Sequence, residues 1–303
     1  MSDNISGLKS GFIALAGRPN VGKSTLLNRL IGNHIAITSH KPQTTRRRIL
    51  GVLTSDTSQM VFMDTPGIHK PKSALGEMMV KEARSAIAEA DIRCIMVSAP
   101  GGLKQADRDI IEYKNKGNVT TFLVINKSDA VKKEDILNIT HQANELFPFD
   151  ETVPISATEG DNVDTLLALL EERLGVGPKF FPDDYITDMP ERVIWSEFIR
   201  ARALLYLQDE VPHGVAVEIM SAVKREDREL VDMEATIFCE RDTHKGIIIG
   251  KKGEMLKRIG AEARRDLERL VGMQINLNLW VKVKKDWRDK MSLARSLGGF
   301  DNK

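Results

Sequence analysis

Cysteine is almost missing from this 303-residue chain: Cys94 and Cys239 lie far apart, each in an apolar, strand-like run. Such a pair excludes a disulfide framework and a zinc cage, and it fits a reducing, cytoplasmic setting. The six histidines do not cluster with cysteines or carboxylates at metal-ligand spacing. No run reaches about 18 consecutive apolar residues, so no membrane span is expected. The first ten residues carry an acid, Asp3, and no long apolar core, so they do not read as a signal peptide. No repeat or heptad pattern demands an oligomer, and a monomer is expected.

Net charge is also nearly absent, at +1, but its distribution is uneven. Residues 180–240 hold six Lys/Arg against fourteen Asp/Glu, whereas residues 241–290 hold fourteen against seven. A basic segment inside a near-neutral chain points to a localised face for a polyanion. The length suits two domains, one of them large enough for a full hydrophobic core.

The apolar run Phe12–Ala16 reads as a buried strand, and Leu26, Leu27, Leu30 and Ile31 follow at helical spacing. Between them stands Gly17-Arg18-Pro19-Asn20-Val21-Gly22-Lys23-Ser24, followed by Thr25, in the form of a phosphate loop. Its glycines let backbone N–H groups face an anion at a helix N-terminus. Lys23 is expected to reach the β- and γ-phosphates, and Ser24 to ligate Mg²⁺.

Three later segments carry the rest of a nucleotide site. Gly32 to Arg48 is polar and aperiodic, and contains Gln43-Thr44-Thr45-Arg46. A switch loop needs a threonine to complete the magnesium shell and sense the γ-phosphate. Thr44 and Thr45 both qualify, and Thr45 is preferred because it lies nearer the strand at Ile49. The strand Met60–Met63 ends in Asp64-Thr65-Pro66-Gly67. Asp64 at the strand end is placed to hold the magnesium shell through water, and Gly67 can bring its N–H to the γ-phosphate without a side-chain clash. Ile68 follows, where many GTPases carry a water-orienting glutamine. His69 reads as a surface histidine rather than a base. Val119–Ile125 is a strand running into Asn126-Lys127-Ser128-Asp129. Asp129 can accept both guanine N1–H and the exocyclic amine, a donor pair that adenine lacks. Lys127 can lie along the base, Asn126 can tie the base loop to the phosphate loop, and Ala157 of Ser156-Ala157 can meet guanine O6.

Alternating strands and helices predict a mostly parallel sheet with helices on both faces, the ligand sitting at the carboxyl ends of the strands. Expected boundaries are 1–175 for this α/β nucleotide domain, 176–191 for a linker without packing of its own, 192–290 for a small α+β domain and 291–303 for a tail. In the second domain the expected order is helix, strand, strand, helix, helix, strand. Val215, Val217, Ile219 and Ser221 are expected on one face of its first strand. Gly250-Lys251-Lys252-Gly253 is a G-x-x-G turn between helical pieces, suited to gripping nucleotide phosphates as in type II KH domains. Trp280 and Trp287 are candidate stacking residues, though a large aromatic in an apolar segment more often packs internally.

Taken in order, GRPNVGKS, PQTTR, DTPG, NKSD, SA and GIIIGKKG resemble the Era family of bacterial GTPases over about residues 8–290. The resemblance implies GTP hydrolysis, with Lys23, Thr45 and Gly67 serving the reaction. GTP/GDP would be held by Gly17 to Thr25, Thr44, Asp64 to Gly67, Asn126, Lys127, Asp129, Ser156 and Ala157. Mg²⁺ would be held by Ser24, Thr45 and Asp64. The resemblance further implies binding of the 3′ end of 16S ribosomal RNA through Gly250, Lys251, Lys252 and Gly253, assistance to 30S subunit assembly, and loose association with the inner face of the membrane. The family carries a hydrophobic residue after D-x-x-G, which Ile68 matches.

Overall fold

The computed structural model describes residues 7–38, 45–68, 71, 73–112, 119–208, 211 and 214–300. The chain divides into two units. The first is Met1–Ala36, Arg47–Lys70 and Met79–Asp188; the second is Ile37–Arg46, Pro71–Met78 and Met189–Lys303. Two segments that interrupt the first unit in sequence therefore group with the second.

In the first unit, the β-rich apolar runs become β1 (Lys9–Ala16), β2 (Ile49–Thr54), β3 (Ser58–Asp64), β4 (Ile92–Ser98), β5 (Thr120–Asn126) and β6 (Glu151–Ile155). They form one sheet in the order β2-β3-β1-β4-β5-β6. All pairings are parallel except β2 with β3. Every residue of β3 and β4 is buried, as expected for strands covered on both faces. The helices are α1 (Lys23–Ile31), α2 (Ala74–Glu89, its later part in this unit), α3 (Gln105–Glu112), α4 (Lys133–Asn144) and α5 (Val163–Arg173). Ile87, Ile110 and Ile139 from three of these helices join Val61, Val97 and Ile125 of the strands in one apolar cluster. Since β1 is flanked by β3 and β4, the strand order reverses at its carboxyl end, where an open α/β sheet offers a crevice.

The stretch beyond α5, expected to lack packing, is fastened along the first unit. Ser10 N–H donates to Gly175 O at 3.1 Å, Val52 N–H to Ile186 O at 2.9 Å, and Leu50 N–H to Asp188 Oδ1 at 3.1 Å. Buried Gln59 donates to Phe181 O and accepts from the N–H groups of Phe180 and Phe181. A proline- and acid-rich composition reports missing helical or strand periodicity; it does not report whether neighbouring strand edges supply hydrogen bonds.

The second unit runs α6 (Glu191–Tyr206), β7 (Ala216–Lys224), β8 (Leu230–Cys239), α7 (Asp242–Ile249), α8 (Glu254–Val271), β9 (Gln274–Val283) and α9 (Met291–Leu297). Its sheet is β7-β8-β9, the first pair antiparallel and the second parallel. Ile199, Ala203, Met233, Ala235, Ile237, Ile259, Ala263 and Leu267 make its core. Two expectations need correction here. A bulge between Ile219 and Ser221 turns Ser221 away from the face of Ile219: Ser221 stands opposite exposed Glu234, and Ala222 opposite buried Met233. Residues 291–297, expected in a tail, are helical, with Ala294 buried.

Trp287 is fully buried, and its indole N–H donates to Gly214 O at 2.9 Å, whereas Trp280 is 60% exposed on β9. Burial assigns Trp287 to packing and leaves Trp280 accessible. Arg46, from one of the inserted segments, is buried in this unit. It donates to Val215 O at 2.8 Å and lies 5.3 Å over the Trp287 ring. Burial, with Arg200 nearby, pushes its guanidinium well below its usual pKa range.

Candidate functional site

Within the first unit, the four sequence motifs follow the carboxyl ends of β1, β3, β5 and β6. The parallel register sets them level: Leu15 pairs with Asp64, Ser98 with Asn126, and Asn126 with Ile155. A parallel sheet can do this because each crossover returns the chain in the same direction.

The phosphate loop turns into α1 at Gly22, whose φ of 103° is left-handed. Lys23 is buried, its ammonium donating to Gly17 O at 3.2 Å and Arg18 O at 3.1 Å. Burial lowers its pKa to about 8, with Asp64 opposing and Arg18 assisting the shift. A phosphate oxygen beside the ammonium would offset that desolvation. Ser24 Oγ donates to Asp64 Oδ2 at 2.6 Å, and Asp64 is fully buried. A hydroxyl and a carboxylate converging at the C-terminal end of β3 are hard oxygen donors of the kind Mg²⁺ takes. Thr65 Oγ1 donates to Leu15 O at 2.8 Å, tying the D-x-x-G motif to β1. A Cβ added at Gly67 would sit 2.6 Å from Pro19 N, so the D-x-x-G motif approaches the phosphate loop more closely than a side chain permits. Ile68 packs as a partly buried apolar residue, and its N–H donates to Gly17 O at 3.3 Å.

Asn126 is the junction of the base side. Its Nδ2 donates to Val21 O at 2.8 Å, and its Oδ1 accepts from Lys127 N–H at 2.8 Å and Ala157 N–H at 3.0 Å. One buried amide thus joins the phosphate loop, the N-K-x-D loop and the Ser156-Ala157 loop. Lys127, at a left-handed φ of 63°, donates from Nζ to Asn20 O at 3.1 Å. Asp129 lies exposed in the short 3₁₀ turn Ser128–Ala130. Ser156 is buried, and its Oγ accepts from Glu159 N–H. Thr45 is buried and groups with the second unit; Thr44 and His69 lie outside the described residues.

Two supporting residues escaped the sequence reading. Asp107, buried on α3, accepts from Arg18 Nε at 3.0 Å and from Lys104 N–H at 3.0 Å, so it orients the phosphate-loop arginine. Asn28 on α1 accepts from Ile35 and Ala36 N–H groups and donates to Ala36 O, bracing the chain that leaves α1. Both lie outside any motif. An acid in the first turn of a helix is ordinary capping chemistry, so its sequence signal is weak.

In the second unit the G-x-x-G turn joins α7 to α8. Lys252 has a left-handed φ of 52°, and Lys251 and Lys252 are exposed. Gly250 adopts φ 74°, and a Cβ there would lie 2.7 Å from that of Met255, so the sharp turn requires glycine. Two lysines thus stand at solvent at the start of a helix.

Comparison with known proteins agrees with this geometry. Residues 12–127 match the family described as 50S ribosome-binding GTPase, and residues 210–288 match the KH domain. The chain is 51% identical over 294 residues to GTPase Era of Clostridioides difficile strain 630, covering 97% of this chain and 99% of that protein. It is 48% identical to GTPase Era of Clostridium kluyveri, covering 96% and 99%. Among solved structures, Era in complex with MgGDPNP and nucleotides 1506–1542 of 16S ribosomal RNA superposes with TM-score 0.92 at 39% identity, covering 96% of this chain and 99% of that one. A point variant of Aquifex aeolicus Era bound to GDP·AlF₄⁻ gives 0.91 at 39% identity, with the same coverage. With near-complete coverage at about half identity, and the nucleotide motifs and G-x-x-G turn in place, the chain belongs to the GTPase Era family: it is a GTPase that takes GTP and GDP with Mg²⁺.

Proposed function

We propose that GTP held in the first unit governs how the second unit grips an unpaired RNA strand, the 3′ end of small-subunit ribosomal RNA, during 30S assembly. The observation that carries the reading is the coexistence of the phosphate-loop, D-x-x-G, N-K-x-D and Ser156-Ala157 motifs at the carboxyl ends of one sheet's strands with an exposed, lysine-bearing G-x-x-G turn. The Era structure with 16S ribosomal RNA nucleotides 1506–1542 supports the choice of RNA.

In this reading the Lys23 ammonium and the phosphate-loop N–H groups bind the β- and γ-phosphates, together with residues Gly17 to Thr25. Ser24, Thr45 and Asp64 hold Mg²⁺, which neutralises charge on the phosphate oxygens when bound. Thr44 and the Asp64 to Gly67 loop complete the phosphate end, with Gly67 N–H directed at the γ-phosphate. Asp129 accepts from guanine while Asn126, Lys127, Ser156 and Ala157 shape the base pocket. The nucleophile is water, and the residues act by positioning and charge stabilisation. The Ile68 side chain offers no hydrogen bond to that water, so either unaided hydrolysis is slow or other groups hold the water.

Coupling is supported by chain continuity. Thr45 precedes Arg46, and Arg46 is fastened within the second unit through Val215 and Trp287. Loss of the γ-phosphate releases Thr45 and thereby alters the second unit's RNA grip. We further read the chain as a cytoplasmic monomer. Among the described residues no helix is long and apolar enough to cross a membrane. Any contact with the anionic inner membrane would be peripheral, through its basic surface.

The test is RNA affinity in three states: empty, GDP-loaded and loaded with a non-hydrolysable GTP analogue, with multiple-turnover hydrolysis measured with and without RNA. State-dependent affinity is expected. Equal affinity in all three states would remove the switch and leave two uncoupled modules.

A further inference from the structure

The far end of the second unit from the G-x-x-G turn holds a cavity of about 560 Å³ lined by Arg225, Arg228, Leu230, Arg264, Glu268, Gln274, Ile275 and Asn276. Three of its residues are arginines, and each has an acidic partner: Asp232 for Arg225, Asp227 for Arg228 and Glu268 for Arg264. The arginines come from the β7–β8 connection and from α8, segments far apart in sequence. Along α8, Arg264 lies about 15 Å from Glu254, where the G-x-x-G turn ends. A KH loop clamps about four nucleotides. A strand running on from that loop beside α8 would therefore reach the cavity.

The arginines differ in how firmly they are held. Arg225 forms a two-bond pair with Asp232, Nε to Oδ2 at 2.5 Å and Nη2 to Oδ1 at 2.9 Å. Asn276 also donates to Asp232 Oδ1, at 2.8 Å. Those bonds hold the Asp232 carboxyl down at about 2, so it stays charged and the Arg225 plane stays fixed. Arg228 faces Asp227 at 3.3 Å and Arg264 faces Glu268 at 3.7 Å, and both arginine side chains are more than half exposed. Glu268 is already engaged, accepting from Ile275 N–H at 3.1 Å. Loose, exposed pairs contribute little and give way readily to a better acceptor, and a guanidinium fork matches a phosphate in two bonds at once.

We propose that this cavity is a second RNA site, in which Arg228 and Arg264 bind phosphodiester groups of the strand several nucleotides beyond those clamped by Gly250–Gly253. Arg225 and Asp232 are its fixed wall, and the Gln274 amide faces the ribose or base edge. The proposal rests on the RNA-binding reading above.

The experiment uses the full chain and two labelled single strands. One is a strand of about four nucleotides, matched to the loop; the other is about three times as long. Affinities are taken over a salt series for wild type, for Arg228→Gln with Arg264→Gln, and for Lys251→Ala with Lys252→Ala. The arginine variant is expected to bind the long strand about tenfold more weakly. Its salt slope should fall by about 0.7 for each phosphate no longer neutralised. Its short-strand affinity and its hydrolysis of GTP without RNA should be unchanged. Long-strand affinity and slope equal to wild type would overturn the proposal. The lysine variant should lose both strands; if it loses neither, the RNA-binding reading itself fails. Photocrosslinking of the wild-type complex guards against a variant that misfolds: peptides containing Arg228 or Arg264 should carry nucleotides, and their absence also refutes the site.

Discussion

Ser24 Oγ donates to Asp64 Oδ2 at 2.6 Å, joining the residue after the phosphate-loop lysine to the last residue of β3, forty positions away. Their convergence makes a pair of hard oxygen donors in a buried setting. Asp64→Asn keeps the shape and removes the charge. The Mg²⁺ concentration giving half-maximal GTP hydrolysis should rise by about 10–100-fold, the usual range for losing a support of a metal site. A magnesium titration of steady-state turnover checks this, and an unchanged midpoint would remove Asp64 from the magnesium shell.

Guanine selection should pass through Asp129. A carboxylate accepts two hydrogen bonds from the base, whereas the amide of Asp129→Asn accepts one and donates one. GTP affinity should drop by about 10–100-fold, while a base presenting an N–H beside a carbonyl, as xanthine does, should bind better than to wild type. Competition binding with GTP and XTP measures both arms.

Gly67→Ala places a methyl group 2.6 Å from Pro19 N. Backbone rather than a flexible side chain stands in the way, so the loop itself must move. Hydrolysis should fall by about 10²-fold, the scale of an ångström's misplacement, with the unfolding midpoint little changed. Turnover and a denaturant titration on the same sample separate the two.

The two tryptophans of the second unit predict opposite outcomes. Trp287→Ala empties a fully buried site and removes the bond to Gly214 O, and should cost about 3–5 kcal/mol of stability. Trp280→Ala, at a position 60% exposed, should shift stability by no more than about 0.5 kcal/mol. Urea unfolding of both variants decides it.

Burial raises the Cys94 thiol to about 12 and the Cys239 thiol to about 11. The nucleophile is the thiolate, and both groups remain neutral thiols through about pH 9. In the folded protein, alkylation should be slow and nearly flat between about pH 7 and 9; in denaturant it should become fast and rise with pH. A quantitative thiol assay in both conditions checks the sign.

The nucleotide motifs were legible before any coordinates because phosphate and guanine chemistry dictates both residue types and their order. G-x-x-x-x-G-K-S needs a strand before it and a helix after it, and both show as periodicity. The type II order of the second unit was legible for the same reason. Asp107 and Asn28 were not, because their work is done by position relative to Arg18 and to the chain after α1. The bulge at Ser221 was hidden too: alternation in sequence continues past a bulge, while the inserted residue reverses which face follows.

Local chemistry written along the chain determined the order and placement of the phosphate-loop, D-x-x-G, N-K-x-D and Ser156-Ala157 motifs, and that a glycine-flanked lysine pair ends one helix and starts another. Tertiary structure alone decided that residues 175–188 are fastened to strand edges, that Arg46 belongs to the second unit, and that three arginines meet around one cavity. The physical reason is range. Motifs and periodicity report neighbours a few residues apart, whereas a cavity lined from two distant segments exists only once packing brings them together.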